Sequence, residues 1–122
     1  MKALVVDDSS ATRFILAKML SELGFEVVDA ENGQVGLDKL GANRDVALAL
    51  VDWNMPVMNG YELIQAIRAK EQFNSVKIMM VTTETEMAQV VKAMEAGADE
   101  YIMKPFTKNV VLEKMKLLGI SK

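Results

Sequence analysis

Apolar residues along this chain fall into short uninterrupted runs, separated by stretches in which they recur at helical spacing. Ala3–Val6, Phe25–Asp29, Val46–Val51, Val76–Val81 and Glu100–Met103 read as five strands. The Val46–Val51 run does not alternate with polar residues, as expected of a strand covered on both faces by helices. Between the runs, Leu16, Met19, Leu20 and Leu23 mark one helical face that stops at Gly24, with Ser9 or Ser10 as its N-cap. A second helix starts at Asn32-Gly33 and carries Val35, Leu37 and Leu40 to Gly41. A third follows Gly60 with Leu63, Ile64 and Ile67 inward, and a fourth runs from about Glu86 to Gly97. Thr107 caps a fifth, with Val111, Met115 and Leu118 on its apolar face.

Strands alternating with helices through short connections imply a parallel sheet with helices on both faces, because the crossovers are right-handed. The expected fold is a doubly wound, flavodoxin-like (βα)5 architecture, and the order 2-1-3-4-5 suits five strands best. In that order strands 1 and 3 are neighbours at the switch point, and ligands bind beyond the carboxyl ends of the strands. Asp7-Asp8 ends the first strand and Asp52 the third, while Thr82 and Lys104 arrive from the fourth and fifth. Pro56 and Asn59-Gly60 then turn the chain from Asp52 into the next helix.

Composition narrows the chemistry. The 122 residues suit one domain, 1–122, and 51% apolar with 25% charged residues is ordinary for a globular protein. A net charge of −3 argues against a nucleic-acid surface as the main function. With no cysteine and no histidine there is no disulfide frame, thiolate or imidazole metal site, or histidine-based catalysis on this chain. Neither a membrane span nor a signal-peptide layout is present in the sequence, so a soluble cytoplasmic monomer is expected. The ten methionines read as flexible core filler.

Three carboxylates in one crevice repel, and each is raised in pKa unless a cation joins them. Oxygen ligands alone select a hard divalent ion, Mg²⁺ first, with Mn²⁺ as a substitute. Thr82 and Lys104 would complete a pocket for phosphate, and a carboxylate there can attack phosphorus to give an aspartyl phosphate. Taken singly, each residue has a plainer role: an Asp after a strand caps a turn, a Thr caps a helix, a Lys is a surface charge, and Tyr101 packs its ring on a helix. Their coincidence on one edge of one sheet favours the chemical reading.

These motifs resemble the receiver domain of two-component response regulators, and in particular its CheY-like, single-domain chemotaxis members. The resemblance spans the chain. It rests on Val5-Val6-Asp7-Asp8-Ser9, on Asp52-Trp53-Asn54-Met55-Pro56-Val57-Met58-Asn59-Gly60, on Thr82, and on Ala96-Gly97-Ala98-Asp99-Glu100-Tyr101-Ile102-Met103-Lys104-Pro105-Phe106. It implies that Asp52 is the phosphoacceptor and that Asp8, Asp52 and the Asn54 carbonyl bind Mg²⁺ directly, with Asp7 reaching it through water. Lys104 would contact the phosphoryl group and a neighbouring carboxylate, across a Lys104-Pro105 bond that is cis in the family. Thr82 would move onto a phosphoryl oxygen as Tyr101 turns from an exposed to a buried rotamer, a two-state switch biased by phosphorylation. Asn54 and Glu84 flank the site and imply a short-lived phosphate. Thr83 stands where the family has a smaller residue, and its bulk is expected to narrow access to Asp52 or bias the Thr82 movement.

The implied partners are a chemotaxis-type sensor histidine kinase as donor, a flagellar motor switch protein as target of the face made by helix 4, strand 5 and helix 5, and a phosphatase. No attached output module is expected after the last helix. The alternatives are a phosphorelay shuttle or a receiver cut from a larger regulator, which share every site residue. An aspartate-dependent hydrolase would want Asp-x-Asp after strand 1, and a nucleotide-binding module a glycine-rich loop there. Asp7-Asp8-Ser9-Ser10 is neither.

Overall fold

The computed structural model describes residues 1–83 and 88–120. Strands β1 (Lys2–Val6), β2 (Glu26–Ala30), β3 (Val46–Asp52), β4 (Lys77–Thr82) and β5 (Glu100–Met103) alternate with helices α1 (Ser10–Glu22), α2 (Gly33–Ala42), α3 (Gly60–Arg68), α4 (Val90–Ala96) and α5 (Lys108–Leu117). The strands form one parallel sheet in the order β2-β1-β3-β4-β5, as the alternation implied. β1 and β3 are therefore neighbours, with Val6 in register with Val51.

Strand alternation sends successive side chains to opposite faces, and two cores result. Leu4, Val6, Ala49 and Val51 pack with Leu63, Ile64 and Ile67 of α3 and with Val90 and Ala93 of α4. Ala3, Val5, Leu48 and Leu50 pack on the other face with Leu16 and Leu20 of α1 and with Val111 and Met115 of α5. Met79 and Met80, adjacent on β4, are fully buried on opposite faces and Met115 lies in the second core, but Met1 and Met94 are exposed, so not every methionine is core filler.

Side-chain caps set the helix starts. Ser9, rather than Ser10, caps α1 by accepting the Thr12 N–H, Asn32 accepts from Val35, and Thr107 from Val110. Asn59 and Glu62 form a reciprocal capping box at α3. The α-helical part of α4 begins at Val90; Glu86, the expected start, lies outside the described residues. A 3-10 turn at Glu71–Phe73, not expected from the periodicity, buries Phe73 between α3 and β4. On α2 the inward positions include Gly33 and Gly36 as well as Leu40, while Val35 and Leu37 are only partly buried.

At the sheet end away from the strands' carboxyl termini, Arg68 ties four segments together. Its guanidinium donates to the carbonyls of Gly97 (3.0 Å), Phe73 (3.1 Å) and Val76 (2.7 Å) and to Asp99 Oδ2 (2.8 Å). Asp99 Oδ2 also accepts the Ile78 N–H at 2.8 Å, which fixes the entries of β4 and β5.

Candidate functional site

Asp7 follows β1 directly, Asp52 closes β3, Thr82 closes β4 and Lys104 follows β5. The topology thus brings residues from four strands to one edge. One oxygen each of Asp7, Asp8 and Asp52 lies within 4.8 Å of the others, an arrangement that could hold a metal ion. Asp7 and Asp52 are buried and Asp8 is exposed, so the cluster opens to solvent on the Asp8 side.

Lys104 enters from the fifth strand. Its Nζ stands 3.5 Å from Asp52 Oδ1 and 3.7 Å from Asp7 Oδ2. The Lys104 N–H donates to the Thr82 carbonyl at 2.7 Å, so the two residues are tied through backbone, and the Lys104-Pro105 peptide is cis. Thr82 is fully buried and its hydroxyl donates to the Thr83 carbonyl at a long 3.3 Å. Thr83 itself is half-buried, and Asn54 is exposed on the loop after β3. Glu84 lies outside the described residues.

Asp7 is held on three sides. Its Oδ1 accepts the Ser9 N–H at 2.9 Å, and its carbonyl accepts from Arg13 Nη1 at 2.7 Å. Oδ2 is buried with no hydrogen-bond partner among the described residues, and the Lys104 ammonium stands 3.7 Å from it. Burial raises the Asp7 pKa above its ordinary value, and the Asp8 charge adds to this; the Ser9 N–H and Lys104 offset part of it. An orphaned buried carboxylate oxygen on a residue clustered with two further carboxylates suits a hard cation. Ser9 and Arg13 were not among the site residues read from the sequence. Asp7-x-Ser9 is, however, an Asx-turn pattern, with an Asp side chain accepting from the N–H two residues on.

The loop after Asp52 is packed against glycines. The Gly60 N–H donates to the Trp53 carbonyl at 2.9 Å, and a Cβ there would collide with the Asp52 carbonyl. The Gly33 N–H donates to the Met58 carbonyl at 3.1 Å, joining α2 to the same loop. Val57 in this loop has φ 68° and is 80% exposed. Trp53 is 8% exposed, its ring 5.8 Å from that of Tyr61. Tyr101 on β5 is half-buried, its ring against the α2–α4 core.

Comparison with known proteins places this architecture. Residues 3–116 match the family model described as the response regulator receiver domain. The chain is 47% identical over 119 residues to the chemotaxis protein CheY1 of Helicobacter pylori (strain J99), covering 97% of this chain and 96% of that protein. It is also 47% identical over 117 residues to the chemotaxis protein CheY homolog of Campylobacter jejuni (strain 81-176), covering 95% and 90%. Among solved structures, CheY4 of Vibrio cholerae superposes with a TM-score of 0.88 at 33% identity, over 96% of this chain and 97% of that one. The chain belongs to the response regulator receiver domain family. Within it, the chain is a CheY-like, phosphorylation-activated response regulator of the chemotaxis type. Among the described residues, no helix is long and apolar enough to cross a membrane.

Proposed function

We propose that Asp52 accepts a phosphoryl group from a chemotaxis-type histidine kinase, and that the modified domain binds a flagellar motor switch protein from the cytoplasm. The observation that carries this reading is the approach of Asp7, Asp8 and Asp52 within 4.8 Å, with Lys104 3.5 Å from Asp52. An Asp52 carboxylate oxygen forms the new bond to phosphorus as the bond from phosphorus to the donor's imidazole nitrogen, or to an acyl oxygen in a small donor, breaks. The donor leaves with that electron pair.

Lys104 stands where it can neutralise charge on the transferred group, and its contact with Asp7 holds it there. The Thr82 hydroxyl, held by a long bond to the Thr83 carbonyl, can exchange that acceptor for a phosphoryl oxygen. The donor set fits Mg²⁺, which Asp8 and Asp52, with the Asn54 carbonyl, would hold, and which Asp7 would support. Bound there, Mg²⁺ supplies charge neutralisation for carboxylates and phosphoryl oxygens. Asn54, Thr83 and Glu84 set the lifetime of the aspartyl phosphate, with a phosphatase as a further control.

Tyr101 is the residue on β5 that reports this change to the outer face of α4, β5 and α5. Exposed Val91 and Met94 on α4 support that face as the output surface. The test follows intact mass and Trp53 emission as acetyl phosphate is added with and without Mg²⁺, using Asp52→Ala as control. One added phosphoryl group with a Mg²⁺-dependent emission change, both lost in the variant, is the expected result. An equal mass gain in the variant would overturn it.

A further inference from the structure

We propose that Glu100 and Lys114 form a latch that holds the Tyr101 ring in its half-buried position. The Lys114 ammonium lies 4.8 Å from the centroid of the Tyr101 ring. A lysine side chain is long and flexible, so this position needs a second contact, and Glu100 provides it: Lys114 Nζ lies 3.1 Å from Glu100 Oε1. The same oxygen accepts the Tyr101 N–H at 3.0 Å. The carboxylate is thereby pinned to the backbone of the residue whose ring the ammonium covers. The side chains of Lys114 and Glu100 are only 26% and 19% exposed, so solvent screens the pair less than it would a surface ion pair.

The three groups form a closed loop. Glu100 is fixed by the Tyr101 backbone, Lys114 is fixed by Glu100, and the ring face is covered by Lys114. A cation over a ring face is attracted by the ring quadrupole only while it stays near the ring normal. Rotation about Tyr101 χ1 carries the ring out from under the ammonium, although the Glu100–Lys114 contact itself can persist. The latch therefore acts on the ring alone and biases one rotamer against the other. It rests on the reading of Tyr101 as the switch residue. Glu100 and Lys114 act as positioning residues: neither touches the Asp7, Asp8 and Asp52 cluster.

The test measures Tyr101 χ1 populations in the full chain, labelled with ¹⁵N and ¹³C, from the three-bond couplings of its Cγ to backbone N and carbonyl carbon. Glu100→Gln and Lys114→Met are each expected to shift the populations away from the wild-type rotamer. The double variant should shift no further than either single one, and Lys114→Arg should restore the wild-type distribution. Unchanged couplings in both single variants, or shifts that add in the double, would overturn the latch. Intact mass after acetyl phosphate and Mg²⁺ is read on the same samples. A chain that gains no phosphoryl group would refute the acceptor reading separately, because the latch is measured in the unmodified protein.

Discussion

Lys104 Nζ lies 3.5 Å from Asp52 Oδ1, although the two residues enter from the third and fifth strands of the sheet and β4 lies between those strands. The same ammonium is 3.7 Å from Asp7. Replacing it with a neutral side chain leaves the carboxylate cluster without this cation. Breaking a buried pair typically costs about 3–5 kcal/mol, and the 28% exposure of Lys104 reduces this to about 1–3 kcal/mol. Lys104→Met should lose that stability in urea titrations with a chelator present, and recover part of it in saturating Mg²⁺.

Asp7 should show an unusual sign in its pH dependence. Its folded pKa is raised above 3.8 chiefly by burial, so the folded chain holds the proton more tightly than the unfolded one. Stability from this group therefore falls as pH rises from 3.8 through the folded pKa, and the penalty is complete above it. Each unit of separation corresponds to about 1.4 kcal/mol. In chelator, Asp7→Asn should melt higher than the wild type at neutral pH, and the gap should close as the pH is lowered through that range. Thermal melts across pH check this.

Adding Mg²⁺ at about one hundred times its Kd should stabilise the wild type by about 2.7 kcal/mol. Asp7→Asn and Asp8→Asn should each reduce that gain at fixed Mg²⁺, because each removes a charge from the cluster. Calorimetry of Mg²⁺ binding would separate a weaker Kd from a changed baseline stability.

Gly60→Ala should damage the fold and the site together. The new Cβ meets the Asp52 carbonyl oxygen and lies 3.0 Å from Trp53 Cα, both backbone atoms that cannot rotate away. Overpacking of this kind costs about 1–3 kcal/mol. Phosphoryl gain from acetyl phosphate should slow in the folded fraction, because the strain falls on Asp52, the proposed acceptor.

Val57→Asn should have the opposite effect. A β-branched residue at φ 68° is held in the left-handed region at a cost of about 1–2 kcal/mol, which Asn reduces. At 80% exposure Val57 gives up little packing when replaced. A rise of about 1 kcal/mol in urea stability is expected.

Much of this site was legible in the sequence because its chemistry sits where hydrophobic runs stop. Asp7, Asp52, Thr82 and Lys104 each close or follow such a run, and the 2-1-3-4-5 order alone brings them to one edge. What holds them in place was much less visible. Arg68 looks like a basic residue ending a helix, and three of its four acceptors are backbone carbonyls, which carry no sequence signal. Gly33 and Gly36 are inward positions with no apolar side chain to betray them; a Cβ on Gly36 would lie 2.9 Å from Val6 Cγ2. The turn at Glu71–Phe73 hides because one buried aromatic among polar residues has no period.

The Arg68 bridge also sets where this chain can be recombined with a relative. Phe73 and Val76 offer main-chain carbonyls that other residues could supply, whereas Gly97 has φ 121° and a Cβ there would collide with the Arg68 side chain, and the fourth acceptor is the side chain of Asp99. A chimera crossing over just after α3 can therefore keep the bridge only if the imported stretch brings a glycine at position 97 and an acidic side chain at position 99. A crossover that separates Arg68 from such an acid would leave β4 and β5 without their shared anchor, even with every residue of the acceptor edge intact.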